Sequence, residues 1–339
     1  MSYPIALTTD ADLTRFKQKR LGESHVADVI SIPSDLDLLS TLNQAKLDGV
    51  TTVFVGVPED IGPRANCGNG GADKGWPAFL NVLLNQQANQ MFDWSKCLLL
   101  GHVVVNDFLA KSHLDPSLSN LRQLCADIDT RVKEVLTPIF DLDFNLVVIG
   151  GGHNNAYPIL TSLSTSAKSQ VSCVNLDPHA DFRNQEGRHS GNPFRYAFAD
   201  GILAGYHVFG LHEQKNNQDT LTELSKAGFS YTSYQSLFIR QDQSIEDSMQ
   251  QALVQHQTLG LPSGVELDID AIKYAAASAF SVSGFTLEQA ARYVFKMSSN
   301  DTNRYLHICE SAPTDTQQNE AGQAIMQLVY SYLIAKHPS

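Results

Sequence analysis

The 339-residue chain has no Cys-x-x-Cys pair, and its five cysteines (Cys67, Cys97, Cys125, Cys173 and Cys309) are odd in number and widely scattered. A disulfide framework is not expected, and a reducing cytoplasm is the expected compartment. No run approaches the roughly 18 apolar residues of a membrane span, and the opening MSYPIALTTDADLTRFKQKR lacks the basic-then-apolar order of a secretory signal. Cations are in deficit: 24 Lys and Arg stand against 36 Asp and Glu, a formal charge of −12 with no basic run. Neither nucleic acid nor a membrane is an expected partner. Repeats, low-complexity tracts and clear linkers are missing too, so residues 1–339 read as one domain. Phe16, Leu21, Val26 and Ile30 offer an apolar set with which residues 1–50 can pack on it as an N-terminal arm or lid.

Apolar residues make up 42% of the chain, enough for a substantial core at this length. Short runs rich in β-branched residues recur at Thr52 to Val57, Leu146 to Ile149, Val171 to Leu176, His207 to Leu211, Val265 to Ile269 and Tyr305 to Cys309. Runs apolar on both faces are what a parallel sheet covered on both sides requires. Between them, helical periodicity spans Leu118 to Phe140, Ile245 to Thr258, Thr286 to Met297 and Thr316 to Ala335. Thr286, followed three residues later by Gln289, is a capping-box start. The alternation predicts an α/β fold with a mainly parallel sheet and helices on both faces, and ligands in such folds bind beyond the carboxyl ends of the strands.

Three strand ends are polar. Ile149 runs into Gly150-Gly151-Gly152-His153-Asn154-Asn155; the glycines allow a sharp turn and close approach of the backbone to a ligand. No GxxxxGK[ST] spacing is present, which speaks against a phosphate loop. Taken alone, His153 reads more readily as a structural histidine. Asn175-Leu176-Asp177-Pro178-His179-Ala180-Asp181-Phe182-Arg183 is a stronger signal, because residues two apart in extended chain share a face. Asp177, His179 and Asp181 therefore converge. Val265-Glu266-Leu267-Asp268-Ile269-Asp270 ends in two carboxylates on one face, costly when partly buried unless a cation or a proton offsets them. Together the three ends supply two imidazoles and four carboxylates, whose charge a pair of divalent cations would balance. Oxygen-rich ligation with two imidazoles suits Mn²⁺, with Co²⁺, Ni²⁺, Fe²⁺ or Zn²⁺ also accommodated. Two such ions lower the pKa of a shared water, so hydrolysis is the implied reaction.

At these residues the sequence resembles the ureohydrolase family of arginases, agmatinases and formimidoylglutamases, whose motifs GG(D/G)H, DxHxD and DxD read here as Gly151-Gly152-His153, Asp177 to Asp181 and Asp268-Ile269-Asp270. The similarity runs from about Gly56 to Glu310. It implies a three-layer α/β/α arginase-like fold and two Mn²⁺ ions per subunit. One ion would be held by His153, Asp177, Asp181 and Asp268, the other by Asp177, His179, Asp268 and Asp270. A metal-bridging hydroxide would attack the amidine carbon, Asp181 would pass a proton to the leaving amine, and Glu310 falls where the family places a carboxylate facing the amidinium. The resemblance also implies a homo-oligomer.

Details are similar to the formimidoylglutamase branch: three glycines before the ligand histidine, Asp181-Phe182-Arg183, and Ser190-Gly191-Asn192-Pro193-Phe194. Phe194 stands where arginase has a second-sphere histidine. The segment Pro58 to Asn66 is similar to the family's substrate-entrance loop. Arg64, Arg183, Arg188 and Arg195, with Ser190 and Asn192, are the expected substrate contacts, since arginine binds a carboxylate through two parallel hydrogen bonds. His189 reads equally as an acid and as a structural histidine. The sequence departs from the family after Asp270, where Ala271-Ile272-Lys273-Tyr274 replaces the more usual loop. The expected reaction is hydrolysis of N-formimidoyl-L-glutamate, a small-molecule amidine, to L-glutamate and formamide, a step of histidine degradation. Alternatives are another amidinohydrolase (arginase, agmatinase, guanidinobutyrase or guanidine hydrolase) and a catalytically silent metal-binding homologue. Metal-dependent deacetylation rests on fold analogy alone.

Overall fold

A computed structural model describes residues 3–18 and 22–337. Nine strands, β1 (Ile5–Leu7), β2 (Thr52–Gly56), β3 (Cys97–Val103), β4 (Asn145–Ile149), β5 (Val171–Leu176), β6 (Leu203–Leu211), β7 (Ser230–Ser233), β8 (Ser263–Asp268) and β9 (Asn303–Cys309), form one sheet. The order is β1-β3-β2-β4-β9-β8-β5-β6-β7. Edge strand β1 runs antiparallel to β3, and every other pairing is parallel.

Alternation along the strands divides the apolar residues between two cores. Val53, Val55, Leu146 and Val148 enter one, while Phe54, Val147, Ile149, Leu306 and Ile308 enter the other. The first is closed by the helix Leu118–Asp141, whose buried Leu121, Leu124, Cys125, Ile128, Val132 and Val135 form one stripe. Helices Gly75–Leu83, Leu287–Ser298 and Gln318–Lys336 close the second. This is the α/β/α layering expected. At Leu287–Ser298 the capping box is made: Thr286 accepts from the Gln289 backbone N–H, and the Gln289 side chain accepts from Thr286.

Three strands lie outside the expected set. β3 reads CLLLGHV, and its leucines lack the β-branched signal even though the strand is almost wholly buried. β7 is a four-residue polar edge, and β1 is only three residues long. In the first fifty residues, β1 extends the sheet, Val26 and Ile30 are core, and Phe16 packs partly buried against it. Leu21 lies outside the described residues.

The strand order decides where the polar clusters meet. β4, β9, β8 and β5 are consecutive, and parallel neighbours lie about 4.8 Å apart. The residues following all four carboxyl ends therefore share one small region.

Candidate metal centre and its cavity

Each strand end is held by its own local device. Asp177 Oδ1 accepts from the His179 N–H at 2.7 Å, and Asp268 Oδ1 accepts from the Asp270 N–H at 2.7 Å, so both motifs fold as the same side-chain-to-backbone turn. Asp177 Oδ2 also accepts from Asn175 Nδ2 at 3.0 Å. After β4, Gly150 and Gly151 adopt φ of +89° and +74°. A Cβ at Gly151 would meet Asn155 Nδ2 at 2.3 Å and the Val57 carbonyl oxygen at 2.8 Å, so side chains are excluded there. Gly150 N–H donates to Ile308, and Glu310 N–H donates to Gly151, which stitches the ends of β4 and β9 together. Asp181 and Glu310 themselves sit at φ +44° and +61°, backbone strain that recurs at functional sites.

The donor atoms of His153, Asp177, Asp181 and Asp268 lie within 4.8 Å of one another, as do those of His179, Asp268 and Asp270, with Asp268 common to both groups. Asp177 Oδ1 is 3.4 Å from His179 Nδ1. His153 Nδ1 is 2.8 Å from Asp181 Oδ2 and 3.1 Å from Asp177 Oδ2, yet it makes no hydrogen bond to either. A nitrogen and several carboxylate oxygens converging without an aligned proton is how metal donors are arranged, and the residues present fit a divalent pair.

The electrostatics agree. Burial, then the Asp177 charge, raises Asp181 and Asp268 to about 6; burial, then Asp268, raises Asp270 to about 8. Burial works against the charged form of His179, but the carboxylates of Asp177, Asp270 and Asp181 outweigh it and push the imidazole up to about 10. Crowded carboxylates of this kind hold protons that cations would displace.

A cavity of about 330 Å³ opens over the cluster, lined by His179, Asp181, Asp268, Asp270 and Glu310 and, among others, Asn66, Arg183, Ser190, Lys215 and Ser278. His153 and Asp177 lie beneath it, fully buried. Glu310 Oε1 accepts from the His153 N–H at 2.8 Å and Oε2 accepts from Ser278 Oγ. Burial, with Asp268 and Asp270 adding repulsion, raises the Glu310 carboxyl well above its usual range.

Of the four arginines expected at the rim, Arg183 lines this cavity. Arg188 is a correction: its guanidinium is buried, donating to Asp129 at 2.7 Å, to Asn192 Oδ1 at 2.8 Å and to the Asn154 carbonyl at 2.9 Å, between the rings of Tyr157 and Tyr196. Arg195 donates to Glu223 at 2.9 Å over the Phe182 ring, and Arg64 is engaged by Asp60 and Ser112. Neither reaches the cavity lining. Asn192 is likewise committed to Arg188, His189 and Gly187. His189 is buried, its Nδ1 accepting from Gly191 N–H at 3.1 Å, and burial with Arg122 and Arg183 lowers it to about 4. Phe194 stacks on Tyr206 and sits edge-on to His153 at 5.2 Å, an apolar wall beside that imidazole.

Two buried carboxylates that the sequence reading passed over organise the site. Glu59 accepts from the backbone N–H groups of Ile61, Gly62 and Gly152 and from the side chains of Asn154 and Asn155, pinning the entrance segment to the glycine turn. Glu266 accepts from Tyr305 at 2.6 Å, contacts His307 Nδ1 at 2.7 Å and lies 3.5 Å from His153 Nε2. The available signal was a glutamate in the middle of a strand whose two faces are both covered.

A model of the arginase family matches residues 50–335. The chain is 30% identical over 187 residues to a formimidoylglutamase of Streptococcus pyogenes serotype M3, covering 52% of each protein. It thus spans about half the length of the curated relatives it matches. Its fold is similar to the crystal structure of formimidoylglutamase from Bacillus subtilis (TM-score 0.75, 15% identity, 95% of both chains). It is also similar to that of Trypanosoma cruzi formiminoglutamase with Mn²⁺ (TM-score 0.69, 19% identity, 93% of this chain and 98% of that one). With the family model running along most of its length, the chain belongs to the arginase family.

Proposed function

We propose that this protein is a divalent-metal amidinohydrolase that converts N-formimidoyl-L-glutamate and water to L-glutamate and formamide. The observation that carries the reading is the pair of donor groups sharing Asp268 at the floor of a cavity of about 330 Å³, with Glu310 and Arg183 on its lining. The printed names of the similar proteins support the substrate, and the Mn²⁺ of the Trypanosoma cruzi structure supports the metal.

His153, Asp177, Asp181 and Asp268 would hold one ion, and Asp177, His179, Asp268 and Asp270 the other. Bound there, a manganese pair supplies Lewis acidity and a water acidic enough to react near neutrality. Glu310 faces the substrate amidinium, with its carboxyl held in place by Ser278 and the His153 N–H. Arg183 takes a substrate carboxylate. Addition of the water oxygen to the amidine carbon and rupture of the bond to the amino-acid nitrogen require one proton to reach that nitrogen. Asp181, on the cavity lining, is the residue to which this transfer is assigned. His189, Arg188 and Asn192 serve to hold the loop that carries Ser190 rather than to meet the substrate.

The test is hydrolysis of N-formimidoyl-L-glutamate, L-arginine, agmatine and 4-guanidinobutyrate by protein stripped of metal and reloaded with Mn²⁺, scoring formamide and urea separately. Metal-dependent formamide with stoichiometric glutamate is the expected result. Urea from a guanidino compound would overturn the specificity while keeping the hydrolytic chemistry, and bound metal with no product from any of the four would overturn the reaction.

A further inference from the structure

The cavity carries a second cation that no motif pointed to. Lys215 follows β6 on a short 3₁₀ turn, Glu213–Lys215, and lines the cavity together with Arg183. Its neighbour Asn216 fixes the turn to the metal-motif loop: Asn216 Oδ1 accepts from Ala180 N–H at 2.8 Å, and Nδ2 donates to the carbonyls of Pro178 and His212 at 3.0 and 2.9 Å. His212 N–H also donates to Pro178 at 2.9 Å. A half-buried lysine is thereby carried on a turn tied to the metal-motif loop. Its ammonium contacts Ser281 Oγ at 3.5 Å, and among the described residues no carboxylate is paired with it. Arg183, on the loop after Asp181, keeps only a loose contact to Glu186 at 3.3 Å and is about half exposed.

We propose that Lys215 is a specificity-determining residue that, with Arg183, makes the cavity a receptor for two carboxylates on one substrate. The inference rests on the amidine hydrolysis proposed above and deepens it. The charge count is the reason. Divalent cations would offset the four aspartates and Glu310 would pair with the amidinium, leaving Arg183, which shares Glu186 at 3.3 Å, and Lys215 as the cations of the lining. A substrate with one amidinium and two carboxylates matches these in number and sign. Agmatine, with two cationic ends, brings a second positive charge against Lys215 and Arg183; arginine supplies a single carboxylate for the pair. A charged hydrogen bond lost at such a site is worth a factor of about 10 to 100 in affinity.

The experiment compares manganese-loaded wild type, Lys215→Met and Lys215→Arg on N-formimidoyl-L-glutamate, N-formimidoyl-L-glutamine, which lacks the side-chain charge, and 4-(formimidoylamino)butyrate, which lacks the α-carboxylate. Lys215→Met is expected to raise KM for the dicarboxylate about 10- to 100-fold, with kcat changed less than about 3-fold and metal content unchanged. On the analogue missing the carboxylate that Lys215 holds, the substitution should change KM little, and Lys215→Arg should recover most of the loss on the parent substrate. Equal effects on all three compounds, no effect on any, or a fall in kcat that follows lost metal would each overturn the inference. Calorimetric binding of glutarate and butyrate to the same loaded proteins separates this inference from the reaction it rests on. If wild type hydrolyses none of the formimidoyl compounds, the reaction falls. A glutarate affinity that Lys215→Met lowers more than butyrate's then sustains the two-carboxylate site, and an unchanged glutarate affinity overturns it.

Discussion

Arg183 and Arg188 stand five positions apart in one loop, and the difference between them shows how much a side chain's role depends on what lies across from it. Arg188 meets the buried Asp129, and removing either partner strands the other's charge in the core. Arg188→Met should therefore cost about 3–5 kcal/mol of stability, read from chemical denaturation, with KM of the remaining folded enzyme near wild type. Arg183→Met should do the opposite, leaving the denaturation midpoint within experimental scatter while raising KM; a shared phenotype would remove the distinction. Glu266 is the residue-scale support of the metal centre, through its contacts to Tyr305, His307 and the far side of His153. Glu266→Gln should weaken Mn²⁺ binding by about 10- to 100-fold in a competition titration, and unchanged affinity would show that His153 needs no such support. Asp268 is common to both donor groups, so Asp268→Ala should abolish metal binding and turnover together; turnover without metal would contradict the site.

Among the elements, the pairing of β6 with β7 and the helix Ile245–Leu259 bury two histidines that belong to none of the donor groups. His207, on β6, contacts Ser230 at 2.8 Å and Thr232 at 3.1 Å on β7, and burial followed by the nearby His256 pushes it down to about 3. His256, on the helix, is pushed down to about 4 by burial. Both stay neutral in the folded chain below the pH at which an unfolded histidine takes up a proton, about 6.5. The unfolded state then binds more protons, so stability falls as pH drops through the window from about 6.5 to 4 and is untouched above it. Unfolding free energies from urea titrations in excess chelator at pH 7 and pH 5 should differ by about 1–2 kcal/mol per histidine, and His256→Leu should flatten the slope. A slope that the substitution leaves alone would assign the acid sensitivity elsewhere. Sequence patterns found the elements that carry strong periodicity. The long helix Leu118–Asp141 was visible from its stripe, whereas β3 escaped because leucine marks burial without marking extended chain.

On the scale of the whole molecule, the cluster joins loops from four neighbouring strands, β4, β9, β8 and β5, that come from positions as far apart as His153 and Glu310. A ligand that bridges them binds the folded chain and not the unfolded one. Free Mn²⁺ at 100 times its dissociation constant should add about 2.7 kcal/mol per site, raising the melting temperature in a way that chelator reverses and Asp268→Ala abolishes. A melting temperature indifferent to bound metal would mean that the donors do not tie the strand ends together. The donor types, their order along the chain and the strand ends that carry them could all be read before any coordinates, because the two-residue repeat of extended chain and the turn after it are local properties. Which strands are neighbours could not, since β9 enters between β4 and β8 through pairing with residues more than thirty positions away. The same distance effect separates Arg183 from the other three arginines. Asp129 lies 59 residues from Arg188, Glu223 lies 28 from Arg195, and Ser112 lies 48 from Arg64. It also hid Lys215, placed on the cavity by the three hydrogen bonds of Asn216. Charge and spacing belong to the chain; the partner that claims each charge is chosen by packing across the fold.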